Sequence, residues 1–161
     1  MGLSKKYALY IFFLLFSQQL VASTDEEINV IIAAEKPPVG VVFDIDEWDN
    51  EALTWAVPAI EQYVQQLHTR FPGLNIAIVS HGDEEFALMR RARNRFADVH
   101  AKVKSLVDKD VQFHVCAGHA LMNGQSESEF VKFVKPVPEG VVAVAEYRLQ
   151  GYVYIRVQQS H

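Results

Sequence analysis

Residues 75–80 read Asn75-Ile76-Ala77-Ile78-Val79-Ser80, and His81-Gly82-Asp83 follow at once. An apolar run this continuous, with no polar alternation, is what a strand covered on both faces looks like. The His-Gly-Asp turn that ends it leads into a helical pattern, predicted from Glu84 to about Arg91. A strand that feeds a helix in this way is one half of a parallel crossover unit, so the neighbouring segments decide the fold.

Upstream, Gly40-Val41-Val42-Phe43-Asp44-Ile45 is a second such run, set off by the breaker Pro37-Pro38. Between the two, Leu53, Ala56, Ile60, Tyr63, Val64 and Leu67 recur at three- and four-residue spacing, the mark of an amphipathic helix. Asp49 or Asn50 is its expected cap and Pro72-Gly73 its stop, while Pro58 is expected to kink it or to mark where its regular part begins.

Downstream, Val99, Val103, Leu106 and Val107 form the apolar face of a helix expected over Asp98 to Val107, and Val111 to Cys116 is a third strand. A fourth strand is predicted at Val141 to Val144, a short helical piece at Ala145 to Gln150 closed by Gly151, and a fifth strand at Tyr152 to Val157. The alternation predicts an α/β domain with an open, mostly parallel, five-stranded doubly wound sheet and helices on both faces.

The ends divide the chain. Lys5 and Lys6, the apolar run Tyr7 to Phe16 and the small-residue exit Val21-Ala22-Ser23 have the form of a cleavable secretory signal. The run is about half the roughly 20 residues that a spanning helix needs before Gln18 and Gln19 interrupt it. Residues 1–23 are therefore read as a leader, 24–39 as a linker or arm, and 40–161 as the domain. A periplasmic or secreted location is expected, with no membrane attachment after cleavage. A net charge of −5 and no basic block argue against nucleic acid or an anionic membrane as partner.

The chain has a single cysteine, Cys116, so no intramolecular disulfide forms and stability must come from burial. In open α/β sheets ligands bind beyond the carboxyl ends of the strands. Two candidate features fall there: Ser80-His81-Gly82 after the second strand and Cys116-Ala117-Gly118 after the third. Ala117 to Met122 is placed to begin a helix whose free amides face the sulfur, an arrangement that favours a thiolate. Two readings of Cys116 stand side by side, a working nucleophile and a small buried hydrophobe.

His81 is a candidate acid, base or cation beside the thiol, against a solvated turn histidine. His114, Cys116 and His119 form a His-x-Cys-x-x-His set that suits copper or zinc, though with few ligands for a closed site. Asp83, Glu84 and Glu85 are expected to favour a helix amino end. Arg90, Arg91, Arg93 and Arg95 are either a solvated face or a patch that steers an anion. No phosphate loop, nucleophile elbow or Cys-x-x-Cys is present, so no cofactor is expected.

With these residues in hand, the chain resembles the DsrE/DsrF-like family of sulfur-relay proteins over about residues 40 to 157. The resemblance rests on a strand ending in His81-Gly82, on Val115-Cys116-Ala117-Gly118-His119-Ala120-Leu121, on Val137-Pro138-Glu139-Gly140-Val141-Val142 and on Leu149-Gln150-Gly151-Tyr152-Val153-Tyr154-Ile155. It implies a doubly wound domain assembled into homotrimers or homohexamers, with the cysteine near a subunit boundary. It also implies that Cys116 carries sulfur as a persulfide, received from a donor and passed to an acceptor, neither of which the chain itself identifies. His81 is paired with Cys116 as the catalytic candidates, and Gly82, Gly118, His119 and His114 are the binding candidates. Ala117-Gly118-His119 departs from the Gly-Asn common after the family's cysteine. The alternatives are a non-catalytic oligomeric module that captures a metal ion or small anion, and a structural subunit with an inert thiol.

Overall fold

Val41, Phe43 and Ile45 turn to one side of their strand and Val42 and Asp44 to the other, and all five are buried. A sheet covered on both faces follows. The computed structural model describes residues 23–159. The predicted leader therefore lies outside the described residues, Ser23 excepted.

The sheet consists of β1 (Gly40–Ile45), β2 (Asn75–Ser80), β3 (Gln112–Cys116), β4 (Lys135–Val137) and β5 (Val153–Arg156). All pairings are parallel and the order is β4-β3-β2-β1-β5. Among the described residues five helices, α1 (Thr24–Ala33), α2 (Leu53–Arg70), α3 (Ala97–Val107), α4 (Ala117–Met122) and α5 (Gly140–Leu149), accompany it, with short 3-10 turns at Asp83–Leu88, Arg90–Ala92 and Glu127–Glu129.

Connection handedness assigns the layers. The steps from β1 to β2 to β3 to β4 all move in one direction, and α2, α3 and α4 pack into a single core with Phe43, Ile45, Ile78, Phe113 and Val115. The return from β4 to β5 runs the other way, so a right-handed crossover must use the opposite face. There α5 lies alone, with Ala143 and Val144 on Val42, Ala77 and Val79. The larger core does most of the stabilising, since each fully buried Phe or Ile contributes about 1.5–3 kcal/mol relative to exposure.

Three local expectations give way. Gly140-Val141-Val142-Ala143-Val144 is helical, not a fourth strand: Gly140, Ala143 and Val144 are buried while Val141 and Val142 are 62% and 47% exposed, a helical periodicity. The fourth strand is instead Lys135–Val137, a three-residue edge where Pro136 is tolerated because an edge strand needs fewer ladder donors. Residues 24–39, expected as a linker or arm, contain α1, whose Ile28 and Ile31 join the main core. Ser23 and Glu26 form a capping box at its start, and Thr24 Oγ1 donates to the Arg156 carbonyl. The segment after His81-Gly82, expected as a helix, winds as 3-10 turns.

Candidate functional site

Register puts the two candidate loops side by side. Ile45 pairs with Ser80 and Ser80 with Val115, so His81 and Cys116 follow at the same level on adjacent strands. Alternation then aims Asp44, Asp46, His81, His114, Cys116 and Tyr154 at the face that α5 alone covers. Because α5 begins at this end of the sheet, its first amide faces the same row.

Cys116 ends β3, caps α4 and is 7% exposed. Its Sγ accepts two main-chain N–H groups, from His119 at 3.3 Å and from Gly140 at 3.3 Å. One donor comes from the first turn of α4 and the other from the start of α5, so two separate loops converge on the sulfur. Negative charge developing there meets donors already in place. Its own N–H donates to Glu85 Oε2 at 2.6 Å.

Glu85 is fully buried, and its Oε1 has no partner among the described residues. Burial pushes its pKa up to about 9, opposed by the Cys116 N–H and assisted by Glu84 and Asp83. Near neutral pH it is a neutral carboxylic acid beneath the cysteine. Glu84 is equally buried but satisfied: Oε1 accepts Ser80 Oγ at 2.7 Å and the Gly82 N–H at 3.1 Å, and Oε2 accepts the Glu47 N–H at 3.0 Å. These two acids tie the loops together, where the sequence suggested only a helix amino end.

His81 is held from the β1 side. Its Nε2 lies 2.7 Å from Asp44 Oδ1, and Asp44 Oδ2 accepts Tyr154 Oη at 2.8 Å. Burial pulls the His81 pKa down, but Asp44, then Asp46 and Glu84, outweigh it, so the net shift is upward. Tyr154, partly buried and donating to Asp44, is pushed up to about 12. His81 makes no hydrogen bond to Cys116; the two are joined through Gly140, which donates to the sulfur and packs against the His81 ring.

The other sequence candidates separate. Gly82 is needed for fit, since a Cβ there would collide with the Glu47 main chain. Gly118 donates to the Pro138 carbonyl at 2.9 Å, and a Cβ would stand 2.8 Å from that oxygen. It thereby docks α4 against the loop that delivers Gly140. His119 Nε2 lies 3.0 Å from Asp83 Oδ1, and its ring stacks on Phe86. His114 Nε2 lies 2.9 Å from Tyr147 Oη, and burial pushes its pKa below the ordinary value. With the two imidazoles committed to different partners, the His-x-Cys-x-x-His set is not assembled, and no group of three metal-ligating side chains converges among the described residues.

Sequence reasoning missed Asp44, Glu85, Tyr154 and Gly140. Asp44 carried a signal, as a carboxylate inside an apolar strand, and Gly140 and Tyr154 fall within the motifs that carry the family resemblance.

The DsrE/DsrF-like family model matches residues 53–157. No curated protein matches the chain. Among solved structures, a protein of unknown function from Methanobacterium thermoautotrophicum, MTH1491, is similar with a TM-score of 0.60 and 24% identity. The match covers 72% of this chain and 96% of that one, and shows the shared fold. The matched segment takes in four of the five strands and every residue around the sulfur except those of β1 and its loop, and the chain belongs to the DsrE/DsrF-like family.

Proposed function

We propose that this chain is an exported sulfur or thiol relay subunit in which Cys116 carries the transferred sulfur. The observation that carries the reading is the pair of main-chain N–H groups, from His119 and Gly140, converging on Cys116 Sγ at a strand end. In the loading step the Cys116 thiolate attacks the outer sulfur of a donor persulfide. A Cys116 S–S bond forms, the donor S–S bond breaks, and the donor leaves as a thiolate. In the unloading step an acceptor thiolate attacks the outer sulfur, and the Cys116 thiolate is restored. Only a formally neutral sulfur atom moves, so no further oxidant or reductant is consumed.

His81, fixed by Asp44 and with its pKa raised by the neighbouring carboxylates, stands at the level of the thiol. Gly82 and Gly118 let the two loops approach closely enough for the donors to converge. Assembly into a trimer or hexamer is part of the proposal. Leu121 and Met122 on α4 and Val141 on α5, exposed at 74%, 80% and 62%, are the apolar surface a second copy would cover. Export rests on the basic-apolar-small pattern of residues 1–23.

A second reading, an inert cysteine in a structural subunit, is favoured by the 7% exposure of Cys116. One experiment separates the two: intact mass of the purified protein before and after polysulfide, with Cys116→Ser alongside. A reductant-sensitive gain of one sulfur, absent from the variant, is the expected result. An unchanged mass, with a thiol that alkylates only after denaturation, would establish the inert reading.

A further inference from the structure

On the opposite side of the sheet from Cys116, a cleft of about 690 Å³ opens between α3 and the loop before β4. The arginine cluster that the sequence singles out divides there. Arg91 pairs with Glu129 and Arg95 with Glu51, whereas Arg90 and Arg93 turn to the cleft and have no carboxylate partner among the described residues. Lys132 joins them on the rim, also unpaired, and Lys104 adds a fourth cation, itself bonded to Asp108. No carboxylate lines the cleft. In a chain of net charge −5, this is a local reversal of sign.

The floor differs from the rim. Phe133 packs edge-on against His100, with ring centroids 6.3 Å apart. His100 is 5% exposed; its Nε2 donates to the Ala87 carbonyl at 2.7 Å, and its Nδ1 is buried without a partner. Three unpaired cations around an aromatic floor, in a volume typical of small-molecule sites, have the chemistry of a receptor for a molecule with two unlike ends.

We propose that this cleft binds an amphiphilic organic anion, with a carboxylate, sulfonate or phosphate head against Arg90, Arg93 and Lys132 and an apolar body over Phe133. The size of the cleft favours this over an extended acidic protein segment. The site shares no residue with the surroundings of Cys116, so its occupancy does not depend on the sulfur-relay reading.

The test is calorimetric titration of the full chain with octyl sulfate, beside inorganic sulfate and octyl glucoside. Saturable one-to-one binding of octyl sulfate, weaker in high salt, is expected, with each control at least about tenfold weaker, because each supplies only half of the recognition. Arg93→Ala and Lys132→Ala should each weaken binding roughly tenfold, while Arg91→Ala, a neighbour paired elsewhere, should not. Amide shift mapping on the unmutated chain places the ligand even if a variant misfolds, and residues 97–104 and 131–133 should move. Equal affinity for inorganic sulfate, equal losses from Arg91→Ala and Arg93→Ala, or shifts elsewhere would each overturn the proposal. So would failure of octyl sulfate to bind because a second copy or an acidic peptide occupies the cleft.

Discussion

Gly140 donates its main-chain N–H to Cys116 Sγ at 3.3 Å, across 24 residues of chain. That one bond joins the start of α5 to the end of β3 and fixes where the sulfur sits. A Cβ on Gly140 would overlap His81 Cβ and stand 2.7 Å from its Cγ. His81 cannot retreat freely, because Asp44 holds its ring. Gly140→Ala should therefore push α5 away from the sheet, cost about 1–3 kcal/mol, and weaken the donor to sulfur. Urea denaturation reads the first effect, and the rate of thiol alkylation in the native protein reads the second. A variant with wild-type values for both would show that the contact is unimportant.

Asp44→Asn tests the polarity of the His81 environment. Without the Asp44 charge, burial prevails and the His81 midpoint should fall below its wild-type value, measured by imidazole proton shifts against pH. The sign for stability follows. A folded-state pKa above the ordinary 6.5 contributes stability that is fully present below that value and is lost as pH rises through the folded midpoint. The wild type should lose this contribution on alkalinisation, and the variant should not.

The first three strands and the placement of Cys116 are legible because buried parallel strands announce themselves as unbroken apolar runs. Their register then brings His81 level with Cys116 with no further information. The fourth strand is hidden, since Lys135-Pro136-Val137 has neither length nor β propensity and exists only because β3 offers it an edge. The α5 segment misleads in the opposite way. GVVAVA has strand-like local propensity, and its helical spacing of Gly140, Ala143, Val144 and Tyr147 emerges only when the following residues are included. The α1 capping box of Ser23 and Glu26 is a readable signal that a leader ending at Ser23 conceals. Glu85 is legible nowhere: its partner, the Cys116 amide, lies 31 residues away, and nothing local distinguishes it from a solvated acid.

Leu121, Met122 and Val141 yield a prediction about assembly. Exposed at 74%, 80% and 62%, they lie on α4 and α5, the two helices whose opening residues donate to Cys116 Sγ. Leu121→Glu together with Val141→Glu should shift the protein from an oligomer to a monomer in light scattering while leaving its thermal midpoint nearly unchanged, because neither side chain is in the core. A wild-type chain already monomeric at high concentration would sink this expectation.

Glu85 gives the sharpest pH dependence. A carboxyl whose pKa rises from 4.5 to about 9 on folding keeps a proton that the unfolded chain releases. Between those values the native state binds more protons, so stability falls as pH rises, with a slope of up to about 1.4 kcal/mol per pH unit. From pH 5 to pH 8 the loss from this residue approaches about 4 kcal/mol as an upper bound. The direction is opposite to that of a salt-bridged acid. Glu85→Gln keeps an oxygen for the Cys116 N–H and places an amide where the protonated acid has its hydroxyl, while removing the titration. It should be no more stable than wild type at pH 5 and more stable at pH 8, so the two curves of unfolding free energy against pH should cross. Parallel curves would mean that Glu85 is ionised in the native state, and the cysteine would then sit above a buried negative charge instead of a neutral acid.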